Sequence, residues 1–155
     1  MNIDRRALIA TAISAAALVA ARAEPATLIK VYKDPSCDCC DGWVAHLESA
    51  GYAVKVFQTG GMAELKAKVG VPNAMRSCHT AILSDYLLEG HVPAQAIARL
   101  LAERPVLRGG LAVPGMPIGS PGMEMPGRAP EVYDVILFGD GEPRPYMRFR
   151  GGDPV

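Results

Sequence analysis

Three of the four cysteines in this chain lie within four consecutive positions, too close together for cross-links that stabilise a fold. Cys37 and Cys40 form a Cys-x-x-Cys pair, Cys39 lies between them, and Cys78 is the fourth. Disulfides stabilise most when they close long loops, and a bridge within this cluster closes a very short one. The cluster therefore indicates chemistry, either thiol redox exchange or metal binding.

A third thiol beside a Cys-x-x-Cys pair favours metal binding over simple disulfide exchange. Exchange needs two cysteines, and Cys39 would trap the pair in mixed disulfides. Unpaired N–H groups and the helix dipole at a helix N-terminus favour thiolates. Neighbouring thiolates repel one another unless protons or a cation neutralise them, and a soft metal ion meets that need.

Two other interpretations of the cluster remain open. In the first, the protein is a thiol–disulfide oxidoreductase in which Cys37 attacks a substrate disulfide and Cys40 resolves the mixed disulfide. In the second, the cluster holds a structural disulfide with one spare thiol. A metal-binding protein would retain Cu(I) and would bind it more weakly after loss of Cys39, and neither of the two other interpretations predicts this.

Histidines and methionines elsewhere in the chain offer further donors. His79 directly follows Cys78, and His91 follows a predicted strand. Soft thiolates with nearby thioethers favour Cu(I), whereas structural zinc normally joins two separated pairs of ligands. We therefore predict a Cu(I) site formed by Cys37, Cys39, Cys40, Cys78 and His79, with His91, Met116, Met123 and Met125 as weaker candidates.

Each of these side chains also has a structural interpretation. Cys78 would be a small apolar residue at the start of a strand. His79 would face away from the cluster, because adjacent strand residues point to opposite sides, and His91 would bond a turn carbonyl. The methionines would form an apolar plug or a lid over the cysteines. His46 is predicted to be a solvated residue on a helix face.

Hydrophobic periodicity predicts alternating strands and helices around these positions. A strand over 27–33 ends at Pro35, and a helix beginning at Asp38 or Asp41 runs to about residue 50. Residues 105–130 contain too many glycines and prolines for regular structure. The other predicted elements are a strand over 52–58, a helix over 62–69, strands over 78–83 and 86–89, a helix over 93–103, and a hairpin over 132–138 and 145–150.

This order predicts an α/β fold. A Cys-x-x-Cys that follows the first strand and opens a helix is typical of thioredoxin-like proteins. We therefore predict a thioredoxin-like domain over residues 24–155, with a mixed central sheet, flanking helices and a long Pro/Gly/Met-rich loop.

The first 23 residues have the composition of an export signal peptide. A short cationic stretch at 2–6 precedes an apolar run at 7–20 and an Ala-x-Ala site at 21–23. The pair Arg5-Arg6 is compatible with either a Sec or a twin-arginine signal. The apolar run of roughly fourteen residues is shorter than a membrane-spanning helix requires, so no membrane anchor is expected after cleavage.

The charge balance excludes a nucleic-acid partner. The chain has 16 basic and 16 acidic residues, and removing the three arginines and one aspartate of residues 1–23 leaves 13 basic and 15 acidic. A basic footprint is absent from this composition. The remainder of the chain is long enough to bury a core without disulfides, which leaves the cysteines free for chemistry.

Four short segments carry a resemblance to a known family. They are Asp34-Pro35-Ser36-Cys37-Asp38-Cys39-Cys40, Arg76-Ser77-Cys78-His79-Thr80, Glu89-Gly90-His91-Val92-Pro93, and the Gly-Met-Pro and Ser-Pro-Gly-Met-Glu stretches at 115–117 and 120–124. With them the chain resembles, over about residues 28–150, the exported bacterial family that includes the copper-resistance protein CopG.

The resemblance implies a thioredoxin-like periplasmic copper-binding protein whose matching thiols are Cys37, Cys39, Cys40 and Cys78. The expected role is protection from copper. Expected partners are copper ions and, in second place, other periplasmic copper-handling proteins. Copper-linked oxidoreductase activity is an extension that the thioredoxin-like frame suggests, and turnover is not inferred from the sequence.

Overall fold

The computed structural model describes residues 28–155, and the predicted export signal lies outside the described residues. The described chain forms three α-helices, eight strands and one 3-10 turn. In chain order they are β1 (Leu28–Lys33), α1 (Asp38–Ser49), β2 (Ala53–Gln58), α2 (Met62–Val69), the turn Asn73–Met75, β3 (Thr80–Leu83), β4 (Tyr86–Glu89), α3 (Ala94–Glu103), β5 (Gly110–Ala112), β6 (Val132–Gly139), β7 (Gly141–Arg150) and β8 (Asp153–Pro154).

All eight strands belong to one mixed sheet in the order β2-β1-β3-β4-β5-β6-β7-β8. The pairs β1–β2 and β4–β5 are parallel, and every other neighbouring pair is antiparallel. The predicted α/β class with a mixed sheet and helices is confirmed. Within residues 28–155, no helix combines the length and the apolar character that a membrane crossing requires.

The buried core lies against one face of this sheet. In β1 the side chains of Ile29 and Val31 are fully buried, while Leu28 and Lys30 are exposed, as the alternation of strand side chains dictates. Helices α1 and α3 contribute large buried side chains to the same cluster, namely Trp43, Leu47, Ile97 and Leu100.

Helix α2 packs on the opposite face of the sheet. Its Lys66 reaches Thr80 and Glu89, which are paired across β3 and β4. Their strand neighbours Ala81 and Leu88 are paired with each other and belong to the core cluster, so Thr80 and Glu89 point away from it. Helices therefore flank both faces of the first half of the sheet.

The prediction that residues 105–130 lack regular structure is wrong at one place, because Gly110–Ala112 forms β5. A Cβ atom at Gly110 would lie 1.8 Å from the carbonyl oxygen of Leu87. The glycine therefore permits close approach of two strands where the sequence pattern suggested a break. The short edge strand β8 and the 3-10 turn Asn73–Met75 were also not predicted, and the remaining elements agree with the predicted ones to within a few residues.

Candidate metal centre

The turn between β1 and α1 holds three of the four cysteines at the end of the sheet. Asp34 accepts hydrogen bonds from both the N–H and the hydroxyl of Ser36, which tightens the turn after Pro35. Cys37 is the N-cap of α1 and has no side-chain cap. Cys39 and Cys40 follow in the first helical turn, whose backbone N–H groups have no acceptor within the helix.

A buried lysine fixes the position of this turn. The Lys33 side chain is only 2% exposed, and its Nζ donates to the carbonyl oxygen of Cys37 at 3.0 Å. The same Nζ lies 2.7 Å from an exposed carboxylate oxygen of Asp41. Lys33 thus binds the end of β1 to the start of α1 and places a positive charge beside the cysteines.

The four cysteine sulfurs converge. Those of Cys37, Cys39, Cys40 and Cys78 all lie within 4.8 Å of one another. Cys78 comes from the segment just before β3, which reaches the N-terminus of α1 because β3 is the direct neighbour of β1. The structure therefore brings together the four thiols that the sequence indicated.

Two of these thiols are oxidised in this structure. Cys37 and Cys40 form a disulfide, with their Cα atoms 5.5 Å apart, and Cys39 and Cys78 are free. The sequence left a disulfide within the cluster open as an alternative, and it forms here because neighbouring first-turn positions bring this pair within ordinary bonding distance. The Cys39 sulfur lies 3.6 Å from that of Cys37. Metal binding through all four sulfurs requires reduction of this bond.

Both predicted histidines adjoin Cys78. Its sulfur lies 3.2 Å from Nδ1 of His79 and 3.0 Å from Nε2 of His91, and both rings are fully buried. His79 therefore faces the cluster rather than the opposite side of its strand. His91 also bonds a carbonyl, as its structural interpretation proposed, because Nδ1 lies 2.7 Å from the oxygen of Pro121. Metal ligation by either ring stays a prediction.

Burial dominates the electrostatics of this pocket. It raises the pKa of the Cys78 thiol to about 12, with a further contribution from the neighbouring Cys39. Burial also lowers the pKa of His91 and lowers that of His79 well below its ordinary value. At neutral pH the pocket thus holds a protonated thiol and two neutral imidazoles, and a metal ion that binds there releases the thiol proton.

A buried ion pair beneath Cys78 holds its segment in place. Glu89 is fully buried, accepts the N–H of Ser77 at 2.7 Å, and pairs with Nζ of Lys66. Thr80 donates to the second Glu89 oxygen at 2.6 Å and accepts from Lys66 at 2.9 Å. All polar groups of this network are paired, so Ser77 and the adjacent Cys78 are anchored to the sheet and to α2.

Two solved structures are similar to this chain over nearly their whole length. They are titled "Copper resistance protein copG- Form 2" and "Form 1", at 40% and 41% identity, with a TM-score of 0.74 for each. The matches cover 81% and 82% of this chain and 99% and 100% of the respective structures. The chain belongs to the CopG family. A family model described as "Protein of unknown function, DUF411" matches residues 75–123, and no match was found among curated proteins.

In this CopG-family chain the Pro/Gly/Met-rich loop folds over the cysteine pocket. The carbonyl of Pro121 bonds His91, and the carbonyl of Gly115 accepts the hydroxyl of Ser77. Of the predicted methionine candidates, Met116 and Met125 are exposed and Met123 is half-buried. Direct ligation by any of the three stays a prediction.

The loop contacts the cysteine helix through two glycines. A Cβ atom at Gly42 would lie 2.8 Å from Cα of Gly122, and a Cβ atom at Gly122 would lie 2.5 Å from the Trp43 nitrogen and 2.7 Å from the Cys39 carbonyl oxygen. Gly122 also has a φ of +85°, a conformation that favours glycine. Any side chain at either position separates the loop from the helix.

We expect Gly122→Ala to weaken this contact by about 1–3 kcal/mol, the usual cost of overpacking. The free thiols of Cys39 and Cys78 should then react faster with an alkylating reagent, measured by mass spectrometry over time. Gly127→Ala is the matched control, since Gly127 has a φ of +76° in the same loop but nothing within 4 Å of an added Cβ. Equal acceleration in both variants would contradict a loop held by the glycine contact.

Sequence reasoning missed the structural roles of Lys33, Lys66 and Glu89, which shape the site, and of His46, which lies outside it. His46 is half-buried rather than solvated, because its Nε2 accepts the N–H of Ala94 at 3.0 Å in the first turn of α3. Lys33 occupies the same strand face as Ile29 and Val31, so the alternation of β1 already marked it as inward-pointing. No sequence pattern indicated the Lys66–Glu89 ion pair, because it joins a helix to a strand that is distant in sequence.

Proposed function

We propose that this chain is a periplasmic Cu(I)-binding protein that contributes to copper resistance. In the reduced protein, the thiolates of Cys37, Cys39, Cys40 and Cys78 hold the copper. The observation that carries the proposal is the convergence of these four sulfurs within 4.8 Å of one another. The titles of the two similar structures, both copper resistance proteins, support the same conclusion.

The donor set favours a soft monovalent cation. Thiolate sulfur is a soft ligand and favours the soft ion Cu(I). Four sulfurs in a partly buried pocket also shield the ion from water. Lys33 and the N-terminus of α1 supply positive charge that offsets part of the thiolate repulsion. His79 and His91, which adjoin Cys78, and the loop methionines are further donors in this proposal.

A thioredoxin-like frame and export complete the proposal. The strands β2-β1-β3-β4, with β1 and β2 parallel and the next two pairs antiparallel, support such a frame, as does the cysteine turn between β1 and α1. Residues 24–155 would form the mature domain. Residues 1–23 would direct it through a Sec or twin-arginine route to the periplasm, where copper ions and other copper-handling proteins are its partners.

The Cys37–Cys40 disulfide favours a second, copper-linked redox function. Two Cu(II) ions oxidise one dithiol to a disulfide, which yields two Cu(I) ions and two protons and conserves electrons. The Cys39 and Cys78 thiols stay free in the disulfide form. The rival, a general thiol–disulfide oxidoreductase, uses Cys37 and Cys40 without any need for Cu(I).

Anaerobic titration of the fully reduced protein with Cu(I), in competition with a strong chelator, tests the proposal. We expect retention of Cu(I) by the reduced protein and a large loss of retention after Cys37 and Cys40 are oxidised. A parallel assay follows reduction of a model disulfide. Efficient reduction by a protein that surrenders all its Cu(I) to the chelator would support the oxidoreductase and overturn the proposal.

A further inference from the structure

The disulfide form leaves a distinct set of metal donors in the pocket. With Cys37 and Cys40 joined, two of the four sulfurs no longer offer thiolates. The remaining close donors are the Cys78 sulfur, the ring nitrogens of His79 and His91, and the Cys39 sulfur. One thiolate with two imidazoles is a harder donor set than four thiolates, and it suits divalent transition-metal ions rather than Cu(I).

We propose that Cys78, His79 and His91 form a three-donor site for a divalent transition-metal ion, used when Cys37 and Cys40 are joined in a disulfide. The site shares Cys78 with the proposed Cu(I) centre and deepens that function, since the state of one disulfide would decide which class of ion the pocket takes. It does not require that the reduced protein bind Cu(I).

The distances already approach those of a metal triad. The donor atoms of the three residues lie within 4.8 Å of one another, with the two imidazole nitrogens at 3.0 and 3.2 Å from the same sulfur. Zinc–sulfur and zinc–nitrogen bonds are about 2.3 and 2.0 Å, so small rotations suffice to seat an ion among them. Three protein donors leave a fourth position for water or for the Cys39 sulfur.

His91 has the outer hydrogen bond that metal-binding histidines usually make. Its Nδ1 donates to the carbonyl oxygen of Pro121 at 2.7 Å, which leaves the lone pair of Nε2 directed at the Cys78 sulfur. Such a bond fixes the tautomer and the ring orientation of a ligating imidazole. The loop that carries Pro121 thus orients the His91 ring.

The His79 ring is held in place by packing, and one of its nitrogens makes no hydrogen bond within residues 28–155. Its ring is fully buried, and Nε2 has no hydrogen-bond partner among the described residues. The Trp43 ring lies 4.3 Å from the His79 ring and the His91 ring lies 5.0 Å away, measured between centroids. Packing therefore holds this ring with Nδ1 directed at the Cys78 sulfur, at 3.2 Å.

Anaerobic titration of the disulfide form with Co²⁺ tests the inference, because Co²⁺ does not oxidise thiols and reports its ligands spectroscopically. We expect one Co²⁺ per chain with a sulfur-to-cobalt charge-transfer band, displaced by Zn²⁺. Cys78→Ser should remove the band, and Cys39→Ser should keep it. Paramagnetically shifted imidazole N–H signals in the unmodified protein report histidine ligation without any variant.

Histidine variants provide the matched comparison. His91→Gln should weaken Co²⁺ binding by at least about 100-fold, as loss of a direct ligand exceeds the 10–100-fold effect of an outer partner. His46→Gln replaces a histidine outside the triad and should leave binding unchanged. Absence of stoichiometric binding, or binding that survives both Cys78→Ser and His91→Gln, would overturn the inference.

The two metal assays separate this inference from the proposed function. A reduced protein that retains Cu(I) while its disulfide form takes no Co²⁺ leaves the Cu(I) function standing and overturns only the divalent site. If the disulfide form binds Co²⁺ through Cys78 and His91 while the reduced form loses Cu(I) to the chelator, the divalent site stands and only the Cu(I) function is overturned.

Discussion

Replacement of Cys78 by serine is expected to lower Cu(I) affinity of the reduced protein by at least about 100-fold, about 2.7 kcal/mol. Cys78 is the sulfur that comes from a second segment of the chain, and without it the remaining three all belong to one helical turn. Serine keeps the shape but offers a hard oxygen, which Cu(I) disfavours. Competition against a Cu(I) chelator at fixed protein concentration measures the change.

Cys39→Ser is the companion variant that separates binding from exchange. The Cys37–Cys40 pair is intact without Cys39, so a thiol–disulfide oxidoreductase would keep its activity, whereas a thiolate copper site would lose a ligand. Ser36→Ala, at an exposed hydroxyl in the same turn, serves as the control for local disturbance. Undiminished Cu(I) affinity in both cysteine variants would refute a centre built on converging sulfurs.

The sequence was sufficient to predict the elements that meet at the cysteines. Alternating strands and helices placed Cys37 to Cys40 after a strand and at the start of a helix, and Cys78 just before another strand. Because β3 pairs directly with β1, these two segments share one end of the sheet. The cysteine positions can be read from the sequence, whereas the strand order that brings the two segments together is seen in the structure.

What could not be predicted depends on contacts between distant residues. The short strand β5 depends on a glycine that lets two backbones approach, and sequence patterns usually treat glycine as a break. The role of His46 depends on α3 beginning beside it. Disulfide formation depends on the oxidation state of the protein, which the order of residues does not specify.

The second large effect concerns the buried pair Lys66–Glu89. We expect Lys66→Met to lower the free energy of unfolding by about 3–5 kcal/mol, because it leaves the fully buried Glu89 carboxylate without its counter-charge. The double variant Lys66→Met/Glu89→Gln should recover most of that loss, since an amide oxygen can still accept the Ser77 N–H without a buried charge. Urea denaturation measures both changes in the free energy of unfolding, and the comparison holds if the variants have equal m-values.

The exposed pair Arg148–Asp134 provides the matched control for charge removal. Its side chains are 60% and 26% exposed, so Arg148→Met should cost no more than about 1 kcal/mol. The double variant Lys66→Met/Glu89→Gln should also retain the Cu(I) affinity of the unmodified protein, because its residue 89 still accepts the Ser77 N–H that anchors Cys78. A Lys66→Met cost as small as that of Arg148→Met would mean that water reaches Glu89 and that the ion pair does not hold the Cys78 segment.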